Sequence, residues 1–243
     1  MKTFIKSLTI VVAFLSLTQC SRNDSDNISL NDETRNIGTI IPSINTDEKS
    51  NLLFMYEEEK MARDTYLYLY QKWQLVEFAN IQKSEQSHMN AVENLLIKYK
   101  IDYPKLAVGK FQNQDLKNLY NQLILQGNNS AIEALKVGAT IEDVDINDLK
   151  NLSNTTTNTL ILKVYSNLMC GSRNHLRAFS RNLEMRNAKY FPQYISKNDY
   201  EKIINAEHEQ CGIQNGMQCQ NQGKGRGNRG RGNGFRNGNC INE

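Results

Sequence analysis

The chain has 243 residues, enough for one domain of ordinary size with tails. Its net charge of +3 is too small to mark the whole chain as polycationic, and it is unevenly placed: the middle holds most of the acids, while the last twenty or so residues are largely Gly, Asn, Gln and Arg. Prolines occur only at Pro42, Pro104 and Pro192, so long uninterrupted helices are allowed.

Lys2 and Lys6 precede an apolar run, Leu8 to Leu17, that is too short to span a bilayer as a stable helix. The run ends in Leu17-Thr18-Gln19-Cys20 and is followed by the polar Ser21-Arg22-Asn23-Asp24. This order resembles a bacterial lipoprotein signal, with Cys20 as the lipidated first residue of the mature protein. An ordinary secretory signal with a chance cysteine is the alternative, and both imply export. Residues 1–20 are therefore expected to be a signal, and residues 21–46, rich in Asn, Asp, Ser and Thr, a flexible tether.

The first core helix is predicted to start near Thr46 or Asp47, either of which would serve as a cap. Leu52, Met55, Tyr56, Glu59, Ala62, Tyr66 and Leu69 share one face, which places Glu59 inward. Its neighbours Glu57 and Glu58 are expected to be solvated, in the half of the helix whose dipole favours acids. Trp73-Gln74-Leu75 forms the turn into a second helix, where Phe78, Ile81, Glu85, His88, Val92, Leu95, Leu96 and Tyr99 recur at helical spacing. Glu85 and His88 thus project from the same apolar face. A buried carboxylate must be paired, protonated or bound to a cation.

Residues 101–113 connect to a short helix carrying Leu116, Leu119, Tyr120, Leu123 and Ile124. Ser130 caps the next long helix, with Glu133 placed for a capping box. There Leu135, Gly138, Ala139, Glu142, Ile146 and Leu149 share a face, with Asp145 beside Glu142 and small residues that admit a neighbouring helix. The competing reading makes Glu142 part of an exposed acidic run with Asp143, Asp145 and Asp148. The last core helix aligns Ile161, Val164, Tyr165, Leu168, Ser172, His175, Phe179 and Leu183, so that His175 also faces inward. The bundle should end near Ala188, and Ser196 caps a final short helix.

The long helices thus offer, in order, Glu59; Glu85 with His88; Glu142 with Asp145; and His175. Hard carboxylate oxygens with imidazole suit iron or manganese, and zinc fits as well. No thiolate lies among them, which argues against an iron–sulfur or structural zinc site.

Three stretches carry a family resemblance: Glu57-Glu58-Glu59-Lys60-Met61-Ala62-Arg63-Asp64, Ser84-Glu85-Gln86-Ser87-His88-Met89 and Gly171-Ser172-Arg173-Asn174-His175-Leu176-Arg177-Ala178-Phe179. Residues 50 to about 205 resemble a ferritin-like family, domain of unknown function 2202, and more distantly the rubrerythrins. The resemblance implies an all-α, ferritin-like four-helix bundle over residues 47–205, with a short helix between the second and third core helices and another at its end. It also implies a metal site of Glu59, Glu85, His88, Glu142, Asp145 and His175, with Tyr66 nearby in any catalytic role. The chemistry implied is oxidation of ferrous iron or reduction of peroxide, at a single- or di-iron or a manganese centre; a bundle that only sequesters metal, or keeps only the fold, is the other class. Ser172 stands where rubrerythrins carry a ligand glutamate, three residues before His175, and Asp145 is the candidate replacement.

Residues 206–243, with a Gly/Arg/Asn-rich stretch from Gly223 to Asn239, are expected to be a disordered tail. Cys211 and Cys219 are a candidate disulfide pair, with adventitious metal binding alongside His208 as the alternative, and Cys170 is expected to pack as a small hydrophobe. The expected partners are a metal ion and, through the lipid anchor, a membrane of the bacterial envelope, on its periplasmic or outer surface. No nucleic acid is expected, and a homodimer is left open.

Overall fold

A computed structural model describes residues 43–212; the expected signal and most of the expected tether and tail lie outside the described residues. Six helices and no strands occur among them: α1 (Thr46–Trp73), α2 (Val76–Lys98), α3 (Gln114–Gly127), α4 (Ala131–Ser153), α5 (Thr159–Glu184) and α6 (Lys197–Asn205). No helix among these residues is long and apolar enough to cross a membrane.

Local chemistry sets the helix ends. Asn45, rather than Thr46 or Asp47, caps α1: its side chain accepts the Glu48 N–H at 2.8 Å and Glu48 returns a bond to the Asn45 N–H. Gln74 ends α1 in the left-handed region, with φ 53°. Asn113, Ser130, Asn158 and Ser196 cap α3, α4, α5 and α6 through their side chains. The Glu133 N–H does bond Ser130, but the Glu133 carboxylate turns to Lys136 and Gln126, so only half of the expected box forms.

Helix α1 packs along α2 and α4 along α5, while α2 against α5 and α1 against α4 join the two pairs. The short α3 crosses α1 and α4, and α6 rests on α5. The apolar interior falls into two clusters. One surrounds Tyr66, Phe78, Leu135 and Phe179; the other surrounds Leu52, Met55, Leu96, Leu149, Tyr165 and Leu168. Each large apolar side chain buried in them stabilises the fold by roughly 1.5–3 kcal/mol. Gly138 permits the close approach of α5, because a Cβ there would stand 2.5 Å from the Phe179 ring. Along every long helix the chain passes between the two clusters through acids or histidines.

The acidic run of α1 is not solvated. Glu57 and Glu58 are both buried, at 4% and 2% exposure. Glu57 lies under the connection after α2, where its carboxylate accepts the N–H groups of Gln112 and Asn113 at 3.0 and 2.8 Å. Lys60 and Asp64 grip the same connection: Lys60 donates to the Ala107 carbonyl and Asp64 accepts the Gly109 N–H. A loop crossing the helix thus replaces the solvent that spacing alone would assign to this face. Asp143 does the same for residues 190–195, accepting the Tyr190 hydroxyl and the N–H groups of Gln193, Tyr194 and Ile195.

The start of the expected tail also packs. Glu209 pairs with Arg173 and Arg177, and its backbone bonds Asn174. Cys211 is disulfide-bonded to Cys170, not to Cys219, and Cys170 is therefore not a free packing residue. The Glu209 anchor brings Cys211 back onto α5. Cys219 and Cys240 lie outside the described residues.

Candidate metal centre

Glu59 reaches the interior from α1, Glu85 and His88 from α2, Glu142 from α4 and His175 from α5. Glu85 stands in the middle. One carboxylate oxygen, Oε2, lies 2.8 Å from His88 Nδ1, and the other, Oε1, lies 2.9 Å from His175 Nδ1. Each imidazole has a second carboxylate: Glu59 Oε2 is 3.3 Å from His88 Nδ1, and Glu142 Oε2 is 3.4 Å from His175 Nδ1. The two rings stack with centroids 5.5 Å apart. The result is two groups of three, Glu59–Glu85–His88 and Glu85–Glu142–His175, that share Glu85.

The spacing of these groups suits a salt-bridge network and would also admit a metal ion. Despite the short distances, neither histidine Nδ1 makes a hydrogen bond with good geometry, and Glu59 Oε1 and Glu85 Oε1 have no partner either. In each group of three the carboxylate and imidazole atoms lie within 4.8 Å of one another. Two ligands held about 2.1 Å from one ion, at right angles, stand about 3 Å apart. The separations of 2.8–3.4 Å bracket that value. The residues fit a hard or borderline divalent metal.

Surrounding contacts orient the ligands. Ser84 meets His175 Nε2 at 2.9 Å, which commits that nitrogen outward and leaves Nδ1 to face Glu85. Tyr66 donates to Glu142 Oε1 at 2.5 Å and to the Gly138 carbonyl at 3.2 Å. His88 lies edge-on against Gly171 of α5, where a Cβ would stand 2.4 Å from Nε2. Ser84 and Gly171 lie inside the stretches that carry the family resemblance, yet their roles follow only from contacts between helices. Ser172 donates to Asp145 Oδ2, so the hydroxyl in place of the expected glutamate is bound to the acid expected to replace it. Asp145 is buried and its Oδ1 is unpartnered, but it stands outside the two converging groups. The exposed His208 takes no part in either group.

The electrostatics are those of a tightly packed, buried charge cluster. Burial raises Glu59 to about 7 against the pull of His88. Burial, with the charge of Glu85, raises Glu142 to about 7 against the pull of His175. Burial opposes ionisation of Glu85 as well, but His175 and His88 together hold it below the usual carboxylate range. Although burial disfavours the imidazolium, Glu85 and Glu142 raise His175 to about 10, and Glu59 and Glu85 raise His88. Without metal, protons occupy the centre.

Comparison with known proteins places the chain in a family. A family model described as an uncharacterized protein domain, DUF2202, matches residues 48–207. The chain is 52% identical over 168 residues to "Uncharacterized protein MJ0754" of Methanocaldococcus jannaschii, covering 68% of this chain and 91% of that protein. A crystal structure of that hypothetical protein superposes with a TM-score of 0.68 at 52% identity, over 69% of this chain and 97% of the other.

Proposed function

Since the chain belongs to the DUF2202 family, we propose that its helices form a ferritin-like four-helix bundle built around a two-metal carboxylate/histidine centre. The observation that carries this reading is Glu85, which presents one oxygen to each histidine while none of the facing nitrogens makes a hydrogen bond. Glu85 with Glu59 and His88 would hold one ion, and Glu85 with Glu142 and His175 another. Iron or manganese bound there would supply one-electron redox chemistry, directed at ferrous iron or peroxide. Tyr66 keeps Glu142 oriented by its hydroxyl, and Ser84 keeps His175 Nδ1 facing the centre. Two apolar clusters flank the polar layer and limit bulk water, which strengthens the electrostatics within it. The protein is further proposed to be an exported lipoprotein, acylated at Cys20 and held at the cell envelope.

The test is anaerobic loading of metal-free protein with ferrous or manganous ion, followed by metal analysis. Binding lost in Glu85→Ala and His88→Ala supports the reading; no binding by the unaltered protein overturns it. Oxygen uptake on adding ferrous iron then separates turnover from storage, the competing function for the same centre. For the anchor, Cys20→Ser should release the protein from membrane fractions, and retention there would refute acylation.

A further inference from the structure

The centre just described leaves Glu58, Asp145 and Asp148 without a role. On α4, Glu142, Asp145 and Asp148 follow one another at three-residue spacing, about 4.5 Å of helix rise per step. Exposure falls along this row: Asp148 is partly exposed, Asp145 is 6% exposed and Glu142 is 2% exposed. On α1, which packs against α4, Glu58 lies one helical turn beyond Phe54 and next to Glu59. Asp145 in turn feels Glu59, Glu142 and Glu85.

The outer end is open. Ser50, Asn51, Phe54, Asp148, Asn151 and Leu152 line a surface cleft of about 380 Å³ between α1 and α4. The inner end holds unpartnered oxygens. Glu58 is 2% exposed, and beyond the neighbouring Asp148 carboxyl no group pairs with its oxygens, while Asp145 Oδ1 has no partner. Burial pushes Glu58 and Asp145 well above the usual carboxylate range, so they ionise at low cost only when a cation stands beside them. Unlike the central ligands, these three acids do not converge on one point. That spread suits passage rather than tight retention.

We propose that Asp148, Glu58 and Asp145 form a carboxylate route by which a divalent cation enters from the α1–α4 cleft and reaches the buried centre. The proposal rests on the metal-binding reading of that centre. Asp148 captures the hydrated ion at the cleft, Glu58 replaces part of its water within the helix interface, and Asp145 passes it to Glu59 and Glu142. The hydroxyl of Ser172 holds Asp145 by one oxygen and leaves the other free for the ion.

The experiment follows manganous ion entering the metal-free full chain, by the loss of the free-ion magnetic resonance signal after rapid mixing. Glu58→Gln keeps the shape of the side chain and removes its ability to ionise, and circular dichroism of the variant checks that the fold is kept. Asp148→Asn tests the outer step, and Glu201→Gln on exposed α6 controls for net charge. The expected result is an entry rate at least about tenfold lower for Glu58→Gln and Asp148→Asn, with unchanged final stoichiometry and an unchanged rate for Glu201→Gln. Equal rates in all variants would overturn the route while leaving the centre intact. A lower stoichiometry in Glu58→Gln at an unaltered rate would also overturn it, by making Glu58 a ligand. If the unaltered protein takes up no manganese, the centre itself fails, and the route with it.

Discussion

The Nε2 edge of His88 on α2 occupies the space that a side chain on Gly171 of α5 would fill; a Cβ there would stand 2.4 Å from it. The missing side chain therefore sets the position of His88 on another helix. His88 has no slack on its other side, where Glu59 and Glu85 face Nδ1. Gly171→Ala is expected to displace the ring and weaken metal binding about 10–100-fold, the range for changes that disturb ligand orientation. Helicity should be retained, since alanine favours helix. Metal titration of the variant against the unaltered protein, with circular dichroism alongside, is the check.

Glu57 gives the converse case, a buried glutamate beside a ligand that has a structural role. Its carboxylate satisfies the N–H groups of Gln112 and Asn113. Glu57→Ala should cost about 1–3 kcal/mol through the orphaned donors, while leaving bound metal unchanged. Urea unfolding and metal analysis on one sample separate the two. Loss of metal without loss of stability would assign Glu57 to the centre instead.

The contrast shows what was legible beforehand. Helical spacing put Glu59, Glu85, His88, Glu142 and His175 on apolar faces, and the structure brings these five together. That worked because inward direction is a property of one helix and its period. Glu57 and Glu58 misled because their burial comes from elsewhere: a connection crossing α1 for one, and the approach of α4 for the other. The Cys170–Cys211 bond was hidden for the same reason, since it depends on Glu209 docking against Arg173 and Arg177. The cap at Asn45 was missed by a single residue, within the uncertainty of any helix end.

Ser172 donates its hydroxyl to Asp145 inside the bundle. Ser172→Ala would leave that buried carboxyl oxygen unsatisfied and should destabilise the protein by about 1–3 kcal/mol. Because Ser172 is not among the converging groups, the two histidine positions should still load. Thermal unfolding of metal-free protein reads the first effect, and manganese titration reads the second. Loss of metal in this variant would show that Asp145 belongs to the ligand set and that Ser172 holds it there.

The disulfide closes a loop across residues separated by 41 positions. Constraining a loop of that length lowers the entropy of the unfolded chain and stabilises the fold by about 2–4 kcal/mol. The double variant Cys170→Ala with Cys211→Ser should lose that amount in urea unfolding. Reducing the unaltered protein should give the same shift, and adding reductant to the variant should give none. A midpoint insensitive to both treatments would mean that the Cys170–Cys211 bond contributes nothing to the stability of the bundle.

Metal affinity should rise with pH, steeply near neutrality. Ligation needs carboxylates and neutral imidazole nitrogens. In the metal-free protein, burial foremost raises Glu59 and Glu142 to about 7, and Glu85 with Glu142 raises His175 to about 10. Below about 7 the cation must displace protons from the two acids as well as from the histidines. Above that point the acids are already ionised, and only the histidine protons remain to be displaced. The binding-competent form is the deprotonated one throughout, so every step upward in pH favours the metal. The expected steepening on the acid side of 7 follows directly, because more protons leave per ion bound there. Calorimetric titration with manganous ion, repeated at each pH in buffers of different ionisation enthalpy, measures the protons released. A released-proton count that falls as pH rises through 7 is the expected result. A heat independent of buffer, with affinity flat in pH, would place the cation on groups other than these glutamates and histidines.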